Sequence, residues 1–406
     1  MSMAWWRVKS GRDSAPRGKE GATQPLLANL ESLRGICAVM VAIFHTSWLT
    51  SLHPTPFIQN AYLFVDFFFV LSGFIIALNY VDRGGGPFDA RGFLIKRFFR
   101  LYPLHLATML ALLALILAKQ FVLPAFTPLT PHGPLPDDYA TSIVFHLTML
   151  HALNLHHGGV LNVPSWSIAA EFWTYCVFCI CCVVARGPAI RIALVAGIGF
   201  ASFLALLPLA GDGGLWTAPR MLRCLAGFGL GALVWAAVAW RPIRLGSRVT
   251  DVAFVAVLTL LYCVLAAANN HTPTNVLALP LFAAVIWLAA LDQGSWTRHI
   301  LEMAPFTALG RLSYSIYMVH LMLATAIGVL LERGAFPRVA IGDIHALMVL
   351  PGRWGDAALV IYLGALIALS AATYRWIEKP WREMGRRLAS ARTPVQSAAE
   401  FTADSK

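Results

Sequence analysis

Leu33-Arg34-Gly35-Ile36-Cys37-Ala38-Val39-Met40-Val41-Ala42-Ile43-Phe44-His45 is an apolar run with a cation near its start and an imidazole at its end. Read as a helix, it decides how the chain is organised. Eleven residues at ~100° each make three turns and roughly 20° more, so Arg34 and His45 share one face, about 16 Å apart along it. An arginine inside a membrane helix costs roughly 2.5–3.5 kcal/mol on insertion scales. Arg34 therefore either snorkels to the interface or meets a partner or a wet cavity.

The rest of the chain has the same character. Of 406 residues, 58% are apolar and 13% charged, with a mean hydropathy of +0.67, which argues against a soluble domain. The formal charge of +11 lies between hydrophobic runs, where the positive-inside rule places Lys and Arg. It points to a lipid bilayer and not to nucleic acid. Cys176, Cys179, Cys181 and Cys182 crowd one apolar run, and the C-x-x-C within it reads as helix packing rather than a metal or redox site. Residues 1–27 carry Arg7, Lys9, Arg12, Arg17 and Lys19 and lack the apolar core of a signal peptide. They are expected to be a disordered basic cytoplasmic tail, followed by a membrane domain over 28–387 and a second disordered cytoplasmic tail over 388–406.

The pattern predicts an all-α integral membrane protein with about ten transmembrane helices: 28–50, 58–80, 101–123, 166–185, 189–209, 221–240, 250–268, 275–291, 312–331 and 357–376. Residues 139–153 are too short for a comfortable span and are expected to be re-entrant or interfacial. That choice keeps Arg186, Arg191, Arg244, Arg248, Arg298 and Arg311 on the same side as the basic tail, with both termini cytoplasmic. Arg97 and Arg100, at i and i+3, fall on one face, with Tyr102-Pro103 expected to break the helix as the chain enters the membrane. Glu378-Lys379-Pro380 is expected to stop the last one. His146, His151, His156 and His157 are read as interfacial polar residues, and no metal site is expected.

Several motifs, taken in order, resemble the membrane acyltransferase-3 family. They are Arg34-Gly35 with His45, Val65-Asp66-Phe67-Phe68-Phe69-Val70-Leu71-Ser72-Gly73-Phe74, Arg97-Phe98-Phe99-Arg100-Leu101-Tyr102-Pro103, Pro164-Ser165-Trp166-Ser167-Ile168-Ala169-Ala170-Glu171 and Leu312-Ser313-Tyr314-Ser315-Ile316-Tyr317-Met318-Val319-His320. The resemblance implies an integral membrane O-acyltransferase of the stand-alone form, without the soluble esterase-like domain of some relatives. Its donor would be acetyl-CoA or another acyl-CoA, and its acceptor a hydroxyl of a glycan, lipid-linked sugar or secreted small molecule. A bacterial inner membrane is the expected location.

The resemblance assigns donor handling to Arg97 and Arg100, with Arg34 deeper on the same side able to hold a carbonyl or phosphate. Acyl transfer to oxygen needs a base at the acceptor, and His45 is the candidate, or alternatively a transient acyl carrier. Glu171 or Asp66 could orient its imidazole, and Asp66 could equally be a structural helix–helix bond. Trp166, Ser167, Tyr314, Ser315 and His320 are candidate substrate-binding residues. Ser72-Gly73 reads as close helix packing. Two other classes are a transporter, in which Arg34, Asp66 and Glu171 would line a pathway, and a glycan flippase or polymerase, which would lean on large extracytoplasmic loops. The absence of inverted repeats speaks against the first.

Overall fold

A chain this apolar can satisfy its backbone N–H and C=O groups in lipid only by coiling. The computed structural model is accordingly helical, and it describes residues 28–81, 88–122, 139–155, 161–209, 219–240, 243–267, 273–341 and 345–391. Its main helices are α1 (Ala28–Phe44), α2 (Phe64–Tyr80), α3 (Ala90–Leu117), α4 (Tyr139–Leu147), α5 (Ser165–Val184) and α6 (Pro188–Leu209). They continue with α7 (Arg220–Trp240), α8 (Ser247–Ala267), α9 (Ala278–Leu291), α10 (Ala304–Leu331), α11 (Trp354–Thr373) and α12 (Lys379–Ser390). Nine helices among the described residues are long and apolar enough to cross a membrane.

The first expected span, 28–50, is the one missing from those nine. α1 has 17 residues and ends at Phe44, because the chain beyond it is drawn into an extended pairing. Leu49 N–H donates to the Met348 carbonyl at 2.8 Å, and Met348 N–H donates to the Ser47 carbonyl at 2.9 Å. Met348 closes the one hairpin of the described residues, β1 (Arg338–Ile341) antiparallel to β2 (His345–Met348), an element that the sequence did not suggest.

Pro103 does not break its helix as expected: α3 runs unbroken from Ala90 to Leu117 around it. Nor does Glu378-Lys379-Pro380 stop the last helix. A π-helical turn over Tyr374–Glu378 leads from α11 into α12. The wider turn lets the chain pass Pro380, whose ring would clash with the carbonyl four residues back in a regular α-helix. α12 carries three residues of the stretch expected to be a disordered tail; residues 1–27 and 392–406 lie outside the described residues.

Small residues set the tightest helix pairs. A Cβ on Gly310 would lie 2.5 Å from the Glu31 carbonyl oxygen, and one on Gly231 would overlap that of Val70. These contacts press α1 along α10 and α2 along α7. α2 is the central helix: 78% of its best membrane-length window is buried in protein, against 22% for α8 at the periphery.

The pairings also give relative directions. α1 and α10 run parallel, since Gly35 meets Leu309 and Gly310 while Ser47 meets Gly328. α3 and α5 run antiparallel, since Phe93 meets Phe178 and Phe98 meets Phe172. The end of α3 and the start of α5 are therefore on one side. α4, nine residues long, extends only ~13 Å and is less than half a bilayer core.

Candidate functional site

α1, α2, α3, α5 and α10 surround a cavity of about 720 Å³, counting its open mouth. Three guanidiniums and one carboxylate line it: Arg34, Arg97, Arg100 and Glu171. The close approach of α1 to α10 positions Arg34, whose Nε donates to Ser313 Oγ at 2.6 Å and whose Nη2 donates to the Gly310 carbonyl at 3.2 Å. Arg97 lies among three aromatic faces, with its guanidinium carbon 5.2 Å from the Tyr80 ring and 5.6 Å from those of Phe93 and Tyr175. It donates to the Tyr80 hydroxyl at 3.0 Å, while its buried Nε has no hydrogen-bond partner among the described residues. Arg100 is within electrostatic reach of Tyr175, Glu378, Glu171 and Tyr314. With three positive groups against one negative, the cavity favours an anionic occupant.

Glu171 Oε1 accepts from two hydroxyls. Ser72 Oγ donates at 2.6 Å and Tyr175, one helical turn further along α5, donates as well. The Ser72 and Tyr175 oxygens are themselves 2.9 Å apart. Ser72 thus faces a carboxylate, while its neighbour Gly73 makes the close packing: the Phe228 carbonyl oxygen occupies the space that a Cβ there would need.

His45 sits just past the end of α1. Its Nδ1 is 2.8 Å from the Val41 carbonyl. A carbonyl can only accept, so Nδ1 carries the hydrogen, and the lone pair of the neutral ring is on Nε2. The ring centroid is 5.0 Å from that of His320. His320 has the same arrangement at Nδ1, which donates to the Tyr317 carbonyl at 2.6 Å, and its Nε2 is buried without a hydrogen-bond partner among the described residues. Arg34 on α1 and His45 just past its end both face α10, about three turns apart, as the helical spacing predicts.

The other sequence candidates separate into lining and supporting positions. Ser167 and Tyr314 line the cavity. Ser167 Oγ is 2.8 Å from the Tyr317 hydroxyl, and the Tyr314 hydroxyl donates to the Leu101 carbonyl at 2.5 Å. Ser315 instead donates to Glu378 Oε2 at 3.1 Å, on the carboxylate that also receives Arg382 at 3.3 Å. Trp166 lies beneath the guanidiniums of Arg223 and Arg220, 5.2 and 5.7 Å from its ring centroid. Asp66 is fully buried and grips Arg223 in a two-point fork, Nε to Oδ1 at 3.2 Å and Nη2 to Oδ2 at 2.7 Å. The two acids suggested as orienting groups for His45 thus meet other partners, Asp66 an arginine and Glu171 two hydroxyls. At Nδ1 the imidazole is held by a backbone carbonyl.

Arg223, Ser72, Tyr175 and Glu378 are members of the polar network that the sequence did not reveal as such. Each lies in a helix far in sequence from its partner or inside an otherwise apolar run. Pairing across 157 positions, as for Arg223 and Asp66, leaves no local spacing to detect. His105, His146 and His151 come together as a stack with ring planes within 10° of parallel, so their in-plane nitrogens do not converge on one point. Among the described residues no group of three or more His, Cys, Asp or Glu is placed to hold a metal; His156 and His157 lie outside them.

Comparison with known proteins bears on what this site is. A family described as an acyltransferase domain matches residues 27–378. "Protein 2 in picA locus" of Rhizobium radiobacter is 33% identical over 155 residues, 37% of this chain and 78% of the relative. "Acyltransferase MdmB" of Streptomyces mycarofaciens is 25% identical over 275 residues, 64% of this chain and 67% of the relative. "Peptidoglycan O-acetyltransferase OatA" of Listeria monocytogenes is 22% identical over 383 residues, 88% of this chain and 56% of that protein's length. No solved structure matches. The match covers every helix that builds the cavity, and the chain belongs to the membrane acyltransferase-3 family.

Proposed function

We propose that this acyltransferase takes an acyl group, acetyl in the simplest case, from acyl-CoA on the cytoplasmic side. It delivers the group to a hydroxyl of a glycan, a lipid-linked sugar or a secreted small molecule reached from the other side. The observation that carries the reading is the cavity with three guanidiniums and a carboxylate on the bundle that also holds His45. Coenzyme A presents phosphates, which guanidinium forks bind in two-point fashion. Arg97 and Arg100 hold them, and Arg34, fixed by Ser313 and Gly310, lies deeper along the path of the thioester arm.

At the acceptor, a hydroxyl is a poor nucleophile until a base takes its proton. The Val41 carbonyl accepts from Nδ1 of His45, so the lone pair of the neutral ring is on Nε2, which acts as that base. His320 Nε2, buried without a hydrogen-bond partner among the described residues, accepts from a second hydroxyl of the acceptor. Loop charge supports an orientation with both termini in the cytoplasm of a bacterial inner membrane. Purified protein given radiolabelled acetyl-CoA and a panel of peptidoglycan fragments, lipid-linked sugars and hydroxylated small molecules should label one class. Failure to consume acetyl-CoA with any of them, together with no binding of it, would overturn the proposal.

A further inference from the structure

Serines and threonines inside these helices mostly return their hydroxyl to a carbonyl three or four residues back, as Ser32, Thr108 and Thr373 do. Ser72 does not. Both of its hydrogen bonds cross the cavity, to Glu171 at 2.6 Å and to Tyr175 at 2.9 Å. It lies in the middle of α2, and it lines the same cavity as Arg34, Arg97 and Arg100. A hydroxyl held on a carboxylate oxygen, in a cavity suited to an anionic thioester, is the arrangement of an activated nucleophile.

We propose that the acyl group passes through an ester on Ser72, an inference that rests on the acyl-CoA reading of the cavity. Ser72 Oγ attacks the thioester carbonyl carbon while Glu171 takes the hydroxyl proton. The C–O bond forms, the C–S bond breaks, and the thiolate of coenzyme A leaves among the guanidiniums to gain a proton from cytoplasmic water. In the second half the acceptor oxygen attacks the ester carbon, and its proton passes through water to His45, which lies beyond the cavity lining. The bond from the acyl carbon to Oγ breaks, Glu171 returns its proton to Oγ, and His45 releases the other to water on the far side. Nothing is oxidised or reduced, and Ser72, Glu171 and His45 all end as they began. Tyr175, donating to Glu171 throughout, holds the carboxylate toward Oγ.

The test uses the full chain with radiolabelled acetyl-CoA and no acceptor. Wild-type protein should become covalently labelled, with the label stable to neutral hydroxylamine, as an oxygen ester is. Ser72→Ala should lose the label and lose transfer on the order of 10³-fold or more. Ser72→Cys should regain a label that neutral hydroxylamine removes, as it does a thioester. It also carries the test if Ser72→Ala does not fold, since a label on it that resists neutral hydroxylamine overturns the relay. Wild-type protein that transfers without labelling, label persisting in Ser72→Ala, or wild-type turnover by Ser72→Ala would each overturn the relay while leaving the transferase reading intact. Wild-type protein that neither labels nor transfers would overturn that reading itself.

Discussion

Replacing Asp66 by Asn separates a structural role from a catalytic one. Asp66 has no exposed surface and the Arg223 side chain is 4% exposed, with two contacts at 3.2 and 2.7 Å. Removing one partner of a buried pair strands the other charge, which costs about 3–5 kcal/mol. Two features here lower that figure: the amide keeps one acceptor for Arg223, and the Trp166 ring lies 5.2 Å from its guanidinium carbon. A cation–π contact of that kind retains about 0.5–2 kcal/mol. Asp66→Asn should therefore destabilise by about 2–3 kcal/mol, a shift of about 30- to 160-fold in the folded-to-unfolded ratio. Asp66→Leu should fall at the upper end. Pairing it with Arg223→Met should restore much of the loss, because an apolar pair of similar volume is often neutral where a broken ion pair is not. The assay is thermal unfolding in detergent, followed by acyl transfer per folded molecule. Transfer per folded molecule should be retained in the double variant. Unchanged stability with transfer lost in Asp66→Asn would refute the reasoning and return Asp66 to the role of an acid that orients His45.

Three further outcomes follow from the same structure. Arg97→Lys with Arg100→Lys loses the planar fork and the stacking of Arg97 on Tyr80, Phe93 and Tyr175; acyl-CoA affinity measured by titration should fall about tenfold or more, with folding preserved. Gly310→Ala forces a Cβ to within 2.5 Å of the Glu31 carbonyl oxygen, so α1 must move from α10; thermal stability should drop by about 1–3 kcal/mol, and donor affinity should fall with the displaced Arg34. A reporter fused after Arg186, between α5 and α6, should give a cytoplasmic signal, and an extracytoplasmic one would invert the proposed orientation.

Much of this was legible in the sequence, because membrane helices advertise themselves by length and apolarity. The shared face of Arg34 and His45 followed from 3.6-residue periodicity alone, and α10 is where both lead. The 139–153 segment was too short to span, and the antiparallel α3 and α5 agree with that. Helix ends were less legible. α1 stops early because Ser47 and Leu49 pair with Met348, some 300 positions away. Pro103 and Pro380 read as breaks, yet a single missing N–H is tolerated inside a helix or absorbed by a π-helical turn.

The polar network divided in the same way. Motif residues such as Arg97, Arg100 and Glu171 stood out and share the cavity. Their partners Tyr175, Ser313 and Glu378 were invisible as partners, since nothing local distinguishes a tyrosine that holds a carboxylate from one that packs. The identification of Asp66 as a member of an ion pair needed Arg223, which sits at the start of another helix.

The most direct test of the account is the rate of His45→Ala, measured with radiolabelled acetyl-CoA and the acceptor that the panel identifies. Acetyl-CoA binding should stay near the wild-type value, because the guanidiniums that hold the donor are untouched. Transfer to the acceptor should fall about 10²–10⁴-fold, the contribution of a general base. The wild-type rate should also decline on the acid side, where protonating Nε2 removes the base, and that limb should vanish from the residual activity of the variant. A folded His45→Ala protein with wild-type turnover would contradict the account.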